Sequence, residues 1–413
     1  MQKFEKRSPV VVTEVTTKHE LRQFMQYPNR LYADNPNYIP SFYGDDLSDW
    51  TPGKNPAFDY CEARCWLAWR DGEIVGRIGA ILSHKANDKF GTHRMRFSQV
   101  DFVDDSEVSA ALFGTVERWA RQKGCDQVHG PLGFTDMDRE GMLVEGFGRR
   151  SLFITNYNAP YYPEHLTRLG YRKDVDWIEY RISVPAPGGA EAERLHKLSE
   201  FILKRKHLHV ATLHHKSEYG PFVRQVFELV NAAYAPLYGV VELSDEQIER
   251  YANKFIPLVD PDFVCFVLDE QDKLVAFGVT TLDPSPALKH SDGRLFPFGW
   301  AEVLNDLHHG DTLIMLLTAV RPDLQTEGIN AVMMDHVCQS CNRHGVQFAE
   351  TGPMLENNDH ILAQWKRLEK EQHKRRRCFI KDLDHGINAA NAAAAAQAEA
   401  PAPEQTPAAE SAE

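Results

Sequence analysis

The sequence repeats one arrangement of elements in its two halves. In each half a helical run ends in glycine, a short apolar strand follows, and the strand stops at a Gly-Pro pair. The matching segments are RQKGCDQVHGP at 121–131 and NRHGVQFAETGP at 342–353. Solenoid repeats span only ~20–50 residues, so a unit of this length predicts a duplicated domain. The functional question is then which copy carries a site.

The elements around each repeat predict the fold class. Residues 67–82 and 265–282 each have the pattern of two strands joined by a tight turn. Each half continues with further strands and helices, which predicts an α/β protein of two tandem domains, each a mixed, mainly antiparallel sheet flanked by helices. We expect a first domain at 1–185, a linker at 186–197, a second domain at 198–385 and a tail at 386–413. A chain of 413 residues is long enough for two hydrophobic cores.

The composition limits the function classes. The formal net charge of −13 argues against a nucleic-acid partner, which calls for a basic surface. No apolar run is long enough to cross a bilayer and the N-terminus lacks a signal-peptide core, so we expect a cytoplasmic protein. The seven cysteines form no disulfide framework and are expected to be reduced thiols. The tail, rich in Ala, Pro and Glu, is expected to be disordered.

Residues 320–337 (VRPDLQTEGINAVMMDHV) join a buried strand to a helix through a glycine-bearing turn. Such a turn presents free backbone N–H groups at the positive end of the helix, a geometry that binds phosphate. Gly328 permits close approach of the backbone, and Asn330 tolerates unusual backbone angles or caps the helix. An ordinary strand-to-helix turn has the same pattern, so both interpretations stay open. A Walker loop and a dinucleotide fingerprint are excluded, because their Gly-Lys-Ser/Thr and glycine triplet are missing.

This segment resembles the acyl-CoA pyrophosphate loop of the GNAT superfamily of N-acyltransferases, written Gln/Arg-x-x-Gly-x-Gly/Ala after the fourth strand. The residues that carry the resemblance are Val320, Pro322, Gln325 and Gly328, and the order of elements matches in both halves. The resemblance implies two tandem GNAT-like domains. The segments NPAFDYCEA, TDMDREGMLVEGF and YNAPYYPEHLTRLGY resemble those of bacterial double-GNAT proteins. They also look like those of the bacterial ceramide synthases, which N-acylate a long-chain base.

The resemblance implies a donor site in the second half, for acyl-CoA or acetyl-CoA or an acyl carrier protein, with no metal. The residues implied to hold the donor are Val320, Gln325, Thr326, Glu327, Gly328, Ile329, Asn330, Ala331 and Asn358. Two positions depart from the family pattern. Asn330 stands where Gly or Ala is usual, and Trp365 stands where many members place the tyrosine that protonates the leaving thiolate. An indole N–H is no acid at ordinary pH, so the general acid is unassigned.

The first half lacks the loop, because only Asp-Asp-Ser-Glu separates its central strand from the next helix, which is expected to end at the cap residue Gly124. It carries instead a glycine-rich segment at 130–148 that contains Asp136, Asp138, Glu140 and Glu145. A solvated surface loop is one interpretation, since clustered charges usually face water. The other is a site for an amine acceptor, with Asp136 and Glu140 as catalytic carboxylates, because ligands bind beyond the carboxyl ends of strands.

Acyl transfer to an amine requires a base for the ammonium proton and a hydrogen-bond donor for the thioester carbonyl. Glu350, at the end of the strand that follows the loop-bearing helix, is the candidate base. A glutamate at this place that simply points to solvent is the alternative. The carbonyl is expected to meet a backbone N–H of the fourth strand, at a position that the sequence does not locate.

Two further clusters of residues have the composition of a ligand site. Cys338 and Cys341 with His336 and His344 suggest zinc, but residues of one helix cannot surround a tetrahedral ion. The basic run at 373–377 (HKRRR) suggests contact with the 3′-phosphate of CoA or with an anionic membrane surface. A solvated end of an element is the more common case.

Three functions follow. The first is an N-acyltransferase acting on a small-molecule or lipid amine, with its donor in the second half and its acceptor between the halves, and with a possible peripheral membrane contact. The second is a decayed GNAT that binds acyl-CoA or acts as a scaffold. The third is an aminoacyl-type transferase on the same fold. The sequence does not specify the oligomeric state, the acceptor or the acyl chain length.

Overall fold

The computed structural model describes residues 7–383, so the predicted tail at 386–413 lies outside the described residues. Twelve α-helices are present in the described range. They are α1 (Lys18–Leu31), α2 (Tyr43–Asp49), α3 (His84–Phe90), α4 (Ser106–Gln122), α5 (Tyr162–Arg168), α6 (Ala190–Lys206), α7 (Gly220–Tyr234), α8 (Asp245–Phe255), α9 (Ser285–His290), α10 (Gly299–His309), α11 (Asn330–His344) and α12 (Asp359–Ala363). Helix α6 begins inside the segment 186–197 that the sequence assigns to a linker.

The strands follow the predicted alternation. They are β1 (Val11–Glu14), β2 (Cys61–Arg70), β3 (Glu73–Ser83), β4 (Arg94–Phe102), β5 (Gln127–Gly130), β6 (Met142–Glu145), β7 (Arg172–Ser183), β8 (His209–Val210), β9 (Val264–Leu268), β10 (Leu274–Leu282), β11 (Thr312–Val320), β12 (Phe348–Thr351), β13 (Met354–Leu355) and β14 (Lys370–Asp382). The hairpins β2–β3 and β9–β10 are the two that the repeat predicts.

The two halves exchange their last strands. Strand β7 ends the first half and pairs with β12 of the second, whereas β14 ends the second half and pairs with β5 of the first. Because β7 and β14 also pair with each other, both halves share one sheet, ordered β1-β2-β3-β4-β5-β14-β7-β12-β11-β10-β9-β8. The short strands repeat the exchange, since β6 pairs with β14 and β13 with β7. Neither half completes its sheet with its own chain.

Helices cover both faces of the sheet in each half. In the first half α4 lies on a core of aromatic and aliphatic side chains from β2, β3 and β4. In the second half α11 and α6 pack on one face, and α7 and α8 pack on the other. None of the helices in the described part of the chain has the length and apolarity to cross a membrane.

The basic run at 373–377 lies inside β14, so its interpretation as an exposed end of an element is wrong. Lys374 and Arg376 are buried, at 1% and 0% exposure. Arg376 is hydrogen-bonded by its Nε to Glu179, and Lys374 Nζ lies 3.2 Å from Glu350 Oε2. Buried charges persist only when they are paired. Here Glu179 comes from the neighbouring strand β7 and Glu350 from β12, the strand beyond it.

Candidate functional site

The second half contains a wedge-shaped gap between two parallel strands. Strands β11 and β12 pair from Thr312 to Met315, matched with Phe348 to Thr351, and then separate. On its other edge β11 has a bulge, because Met315 pairs with Thr280 and Leu317 with Val279. Leu316 is therefore unpaired on both sides. A bulge of this kind re-aims backbone groups, here at the point where the gap opens.

An apolar cavity fills the gap and continues along α11. It holds about 1040 Å³ of empty space, counting its open mouth. Its walls come from β11, β12, α11, α12, α6 and the end of α7, and include Leu195, Tyr234, Met315, Leu316, Thr318, Asn330, Met333, Met334, Val337, Cys341, Thr351, Met354 and Trp365. The cavity also explains why the middle of β11 is only half-buried, where the sequence predicts burial on both faces.

The start of α11 has no side-chain cap. Gly328 adopts φ +79°, a conformation that other residues rarely reach. Within the described residues, no hydrogen bond uses the backbone N–H groups of Gln325, Thr326, Gly328 or Ile329. These N–H groups are therefore unoccupied next to the positive end of the helix, which is the feature on which the predicted phosphate site depends.

The remaining predicted donor residues have different surroundings. Val320 ends β11, and its carbonyl accepts a hydrogen bond from the Gln325 side chain at 3.4 Å. Glu327 pairs with Lys206 of α6 at 2.5 Å. Ile329 and Ala331 are buried against α6, and Asn330 faces the cavity. The side chains of Gln325, Glu327, Ile329 and Ala331 thus hold the loop in place against β11 and α6.

Asn358 and Trp365 lie beyond β12. The Asn358 side chain caps α12 by accepting a hydrogen bond from the Ile361 N–H at 3.3 Å, which explains this residue without a ligand. Trp365 is buried in the cavity wall, and its Nε1 donates to Met354 Sδ at 3.2 Å. The indole therefore shapes the cavity and exchanges no proton.

The acids of the first-half loop lie against the second half. Met137 packs in the same cluster as Leu316 and Leu317 of β11. Burial raises the pKa of Asp136 to about 6, and the neighbouring Asp138 charge adds to the effect. Burial likewise raises the pKa of Asp138 to about 6. The interpretation of this segment as a solvated loop therefore does not hold for Asp136 and Asp138, whereas Glu145 is exposed as that interpretation expects.

Glu140 is the most extreme of these carboxyl groups. Burial, and secondarily Asp136, hold its pKa well above the usual range. Its Oε1 is buried and has no hydrogen-bond partner among the described residues. Burial thus disfavours the charged form of Glu140 more strongly than that of Asp136.

Tyr234 at the end of α7 is a polar group in the cavity wall that the sequence gives no reason to select. Its hydroxyl donates to the Thr318 carbonyl at 2.8 Å, on the free edge of β11. Burial raises its pKa to about 12, with a smaller contribution from the Asp136 charge. The phenol thus links the first-half acids to the opening of the gap.

Glu350 lies on the sheet face opposite α11. Ala349 and Thr351 face the cavity, and Glu350 alternates away from them. Its register partner Ile314 packs with Phe153 of the first half, so Glu350 shares its face with first-half residues. Burial raises the pKa of Glu350, and the Lys374 ammonium partly offsets the effect.

The predicted catalytic acids fall into two groups. The charges that act on Asp136 are those of Asp138, Arg96 and Lys89. Those that act on Glu350 are Lys374, Asp283 and Glu179. Asp136 and Glu350 therefore both lie at the junction of the halves, but different charged residues surround each of them.

The corresponding gap in the first half is filled by tyrosines. The Phe102 N–H at the end of β4 donates to the Tyr162 hydroxyl at 2.8 Å, and the Tyr161 hydroxyl donates to the Phe102 carbonyl at 2.5 Å. A second phenol, Tyr32, donates to Tyr162 at 2.6 Å. The strand edge that is open in β11 is therefore satisfied by side chains in β4.

The zinc candidates do not gather around a common point. Burial raises the pKa of Cys338 to about 11 and that of Cys341 to about 12, so both are thiols. Among the described residues, ligand atoms converge instead at His129, Asp174 and Cys378. There the Tyr238 hydroxyl already contacts all three, which makes the group a hydrogen-bonded joint between the halves. All seven cysteines are buried and free.

Comparison with known proteins supports the fold. No protein-family model matches the chain. It is 27% identical over 383 residues to Protein YghO of Escherichia coli (strain K12), covering 90% of this chain and 95% of the relative. It is 28% identical over 299 residues to a bacterial ceramide synthase of Caulobacter vibrioides (strain NA1000 / CB15N), covering 71% and 75%.

Among solved structures, a tandem GNAT protein from the clavulanic acid biosynthesis pathway aligns with a TM-score of 0.52. The alignment covers 91% of this chain and 99% of that one at 13% identity. The chain has the tandem GNAT fold. The resemblance and the fold class drawn from the sequence are thereby confirmed.

Proposed function

We propose that the protein is an N-acyltransferase that binds an acyl-CoA donor in the second-half cavity and transfers its acyl group to an amine. One observation carries the proposal. The unpaired edge of β11 and the uncapped start of α11 open into the same apolar cavity, and the first half has neither feature.

The acyl-CoA donor would lie along the start of α11, the edge of β11 and the apolar cavity. Its pyrophosphate suits the free N–H groups of residues 325, 326, 328 and 329, where Lys206 and Arg205 of α6 add positive charge near Glu327. Its pantetheine arm can pair with the free edge of β11, as an added strand would. The apolar walls, with four methionines among them, suit a flexible apolar chain.

The bulge at Leu316 would polarise the thioester. A backbone N–H at the opening of the gap can donate to the carbonyl oxygen, which gains negative charge as the amine attacks the carbon. The C–S bond then breaks and the CoA thiolate leaves. The Tyr234 hydroxyl can donate a proton to this thiolate, a role that Trp365 cannot fill. The phenolate then recovers a proton from the attacking nitrogen, which loses one as the amide forms.

The acidic residues at the junction of the halves would bind and deprotonate the acceptor amine. Asp136, with its pKa at about 6, is ionised at neutral pH, so its carboxylate can attract the ammonium group and take the proton. The neighbouring Glu140 can accept a hydrogen bond from the amine through its Oε1, which has no partner in the described part of the chain. Glu350 is a second candidate base at the apex of the gap. The 28% identical ceramide synthase and the apolar residues Phe42 and Phe153 beside Leu316 favour a lipid amine such as a long-chain base.

A panel of acyl-CoA chain lengths, each offered with a long-chain base and with a polar amine, tests the proposal. We expect free thiol release that depends on both substrates and a rise in Tm with acyl-CoA alone. Glu350→Gln is expected to lower kcat about 10- to 100-fold, within the range of lost general-base catalysis, with donor affinity unchanged. Donor binding without product under every pairing would favour the second candidate, an acyl-CoA-binding protein, which the departures at Asn330 and Trp365 allow.

A further inference from the structure

The segment between α9 and α10 carries an exposed aromatic cluster. Phe296 and Phe298 are 81% and 77% exposed, and Trp300 is 48% exposed. Leu295 and Leu304 extend the cluster, which we call the aromatic patch, along the outer side of α10. Apolar side chains of this size rarely stand together in water, because hydrating them is unfavourable.

The chain holds the base of this loop firmly. The Tyr43 N–H donates to the Gly293 carbonyl at 3.0 Å, and the Asn29 side chain donates to the Asp292 carbonyl at 3.1 Å. Gly293 adopts φ +75° and packs so closely that a Cβ there would lie 1.9 Å from the Ser41 oxygen. The patch is thus presented on a fixed base.

The polar groups around the patch are already satisfied. The Trp300 Nε1 donates to the Pro297 carbonyl at 3.2 Å, so the indole can leave water without losing a hydrogen bond. On α10, Glu302 pairs with His290 at 2.7 Å, and Asp306 accepts from the Ala287 N–H at 2.9 Å. The acids of α10 therefore do not oppose transfer of the patch out of water.

We propose that the aromatic patch docks on the interface of a lipid bilayer. Phe, Trp and Leu on a convex tip, with Arg294 exposed at its base, fit the boundary between headgroups and acyl chains. At ~200 Å² per aromatic side chain, the patch offers roughly 500 Å². A stable protein partner would cover about 800 Å² per side, which the tip alone does not provide.

Docking there would place the candidate site beside the membrane. The inner face of α10, with Val303 and Leu307, packs in one cluster with Phe42, Phe153 and Leu316. An apolar column therefore joins the patch to the bulge in β11. The inference stands apart from the proposed function, because membrane binding is measured without any acyl donor.

Flotation of the full chain with vesicles of phosphatidylcholine, alone or with phosphatidylglycerol, tests this. We expect binding to both compositions, stronger with the anionic lipid, and persistent at high salt because apolar contact dominates. Phe296→Ser with Phe298→Ser should lower the bound fraction at least tenfold. Phe201→Ser is the matched control, since Phe201 is a 57% exposed phenylalanine on α6, and should bind as wild type.

Leu304→Ser, on the helix, provides a second variant with a smaller expected loss. Absence of wild-type flotation, or equal loss in the Phe201 control, would overturn the proposal. So would a dimer in solution that the double variant dissociates, because the patch would then be an interface between copies of this chain.

Discussion

The two copies of the fold differ at the end of the central strand and at the start of the helix that follows it. Both keep a bulge in the central strand, at Gln99 in β4 and at Leu316 in β11. In the first copy the Asp105 carboxylate caps α4 by accepting from the Glu107 N–H at 2.9 Å. In the second copy α11 has no such cap. One helix start is capped by a side chain of its own chain, and the other is not.

The strand edges differ in the same way. Tyrosines satisfy the end of β4, whereas β11 opens into the cavity. A buried strand edge must be paired, so the first copy has become a closed scaffold. Its loop acids can then serve the second copy, against which they pack. Duplication followed by this division would explain why the donor loop occurs once.

The largest expected effect comes from Gly328→Val. A β-branched residue at φ +79° is strained, and its side chain would meet Ile202 of α6, since a Cβ alone lies 3.2 Å from Ile202 Cδ1. We expect acyl-CoA affinity to fall about 100-fold or more, equivalent to at least ~3 kcal/mol, as measured by calorimetry. Gly345→Val at the other end of α11, at φ +72° with open space around it, controls for backbone strain. Equal loss in both variants would show that folding, not the loop, is affected.

The next effect concerns the loop acids. Asp136→Asn with Glu140→Gln is expected to raise the acceptor KM or lower kcat about 10-fold. Acyl-CoA binding should be unchanged, because in the proposal the pyrophosphate of the donor binds at the start of α11. Wild-type kcat/KM should fall as the pH drops below about 6, where Asp136 takes up its proton. The variant should lose this acidic limb. Weakened donor binding with normal acceptor kinetics would contradict the division between the copies.

Tyr162→Phe tests the closed edge of the first copy. The substitution leaves the buried Phe102 N–H without its acceptor, at a cost of about 1–3 kcal/mol in the free energy of unfolding. Donor affinity should not change. Tyr234→Phe in the second copy should lower kcat. Its loss of the bond to the Thr318 carbonyl should cost less free energy of unfolding than Tyr162→Phe, because this edge opens into the cavity and water can replace the phenol. Urea unfolding and steady-state kinetics on the two variants give the comparison.

The smallest effect is expected from Asp105→Asn. Arg70 and the Glu107 N–H hold the pKa of Asp105 below its usual range. Its stabilisation is therefore complete above the unfolded pKa and is lost as the pH falls through the folded value. We expect the substitution to lower the free energy of unfolding by about 0.5–1 kcal/mol at pH 7. Thermal unfolding at a series of pH values should show this difference vanish in acid. A constant difference at every pH would assign the effect to packing.

The sequence predicts much of this molecule and misses what depends on distant pairing. The duplication, the hairpins and the glycine turn at Gly328 are local patterns and are found where expected. The exchange of β7 and β14 is non-local, and the charged β14 lacks the alternation that marks a strand in a sheet. Its burial depends on partners such as Glu179, almost two hundred residues away in the chain. Tyr234 could not be selected, because only the folded chain brings it to Thr318.

Hydrogen exchange with and without saturating acyl-CoA tests the central claim most directly. If only the second copy holds the donor, backbone amides at 314–334 and 351–354 gain protection on binding. Amides at the corresponding first-copy positions, 97–108, should exchange at unchanged rates. Protection at 97–108, alone or equal to that of the second copy, would contradict the account.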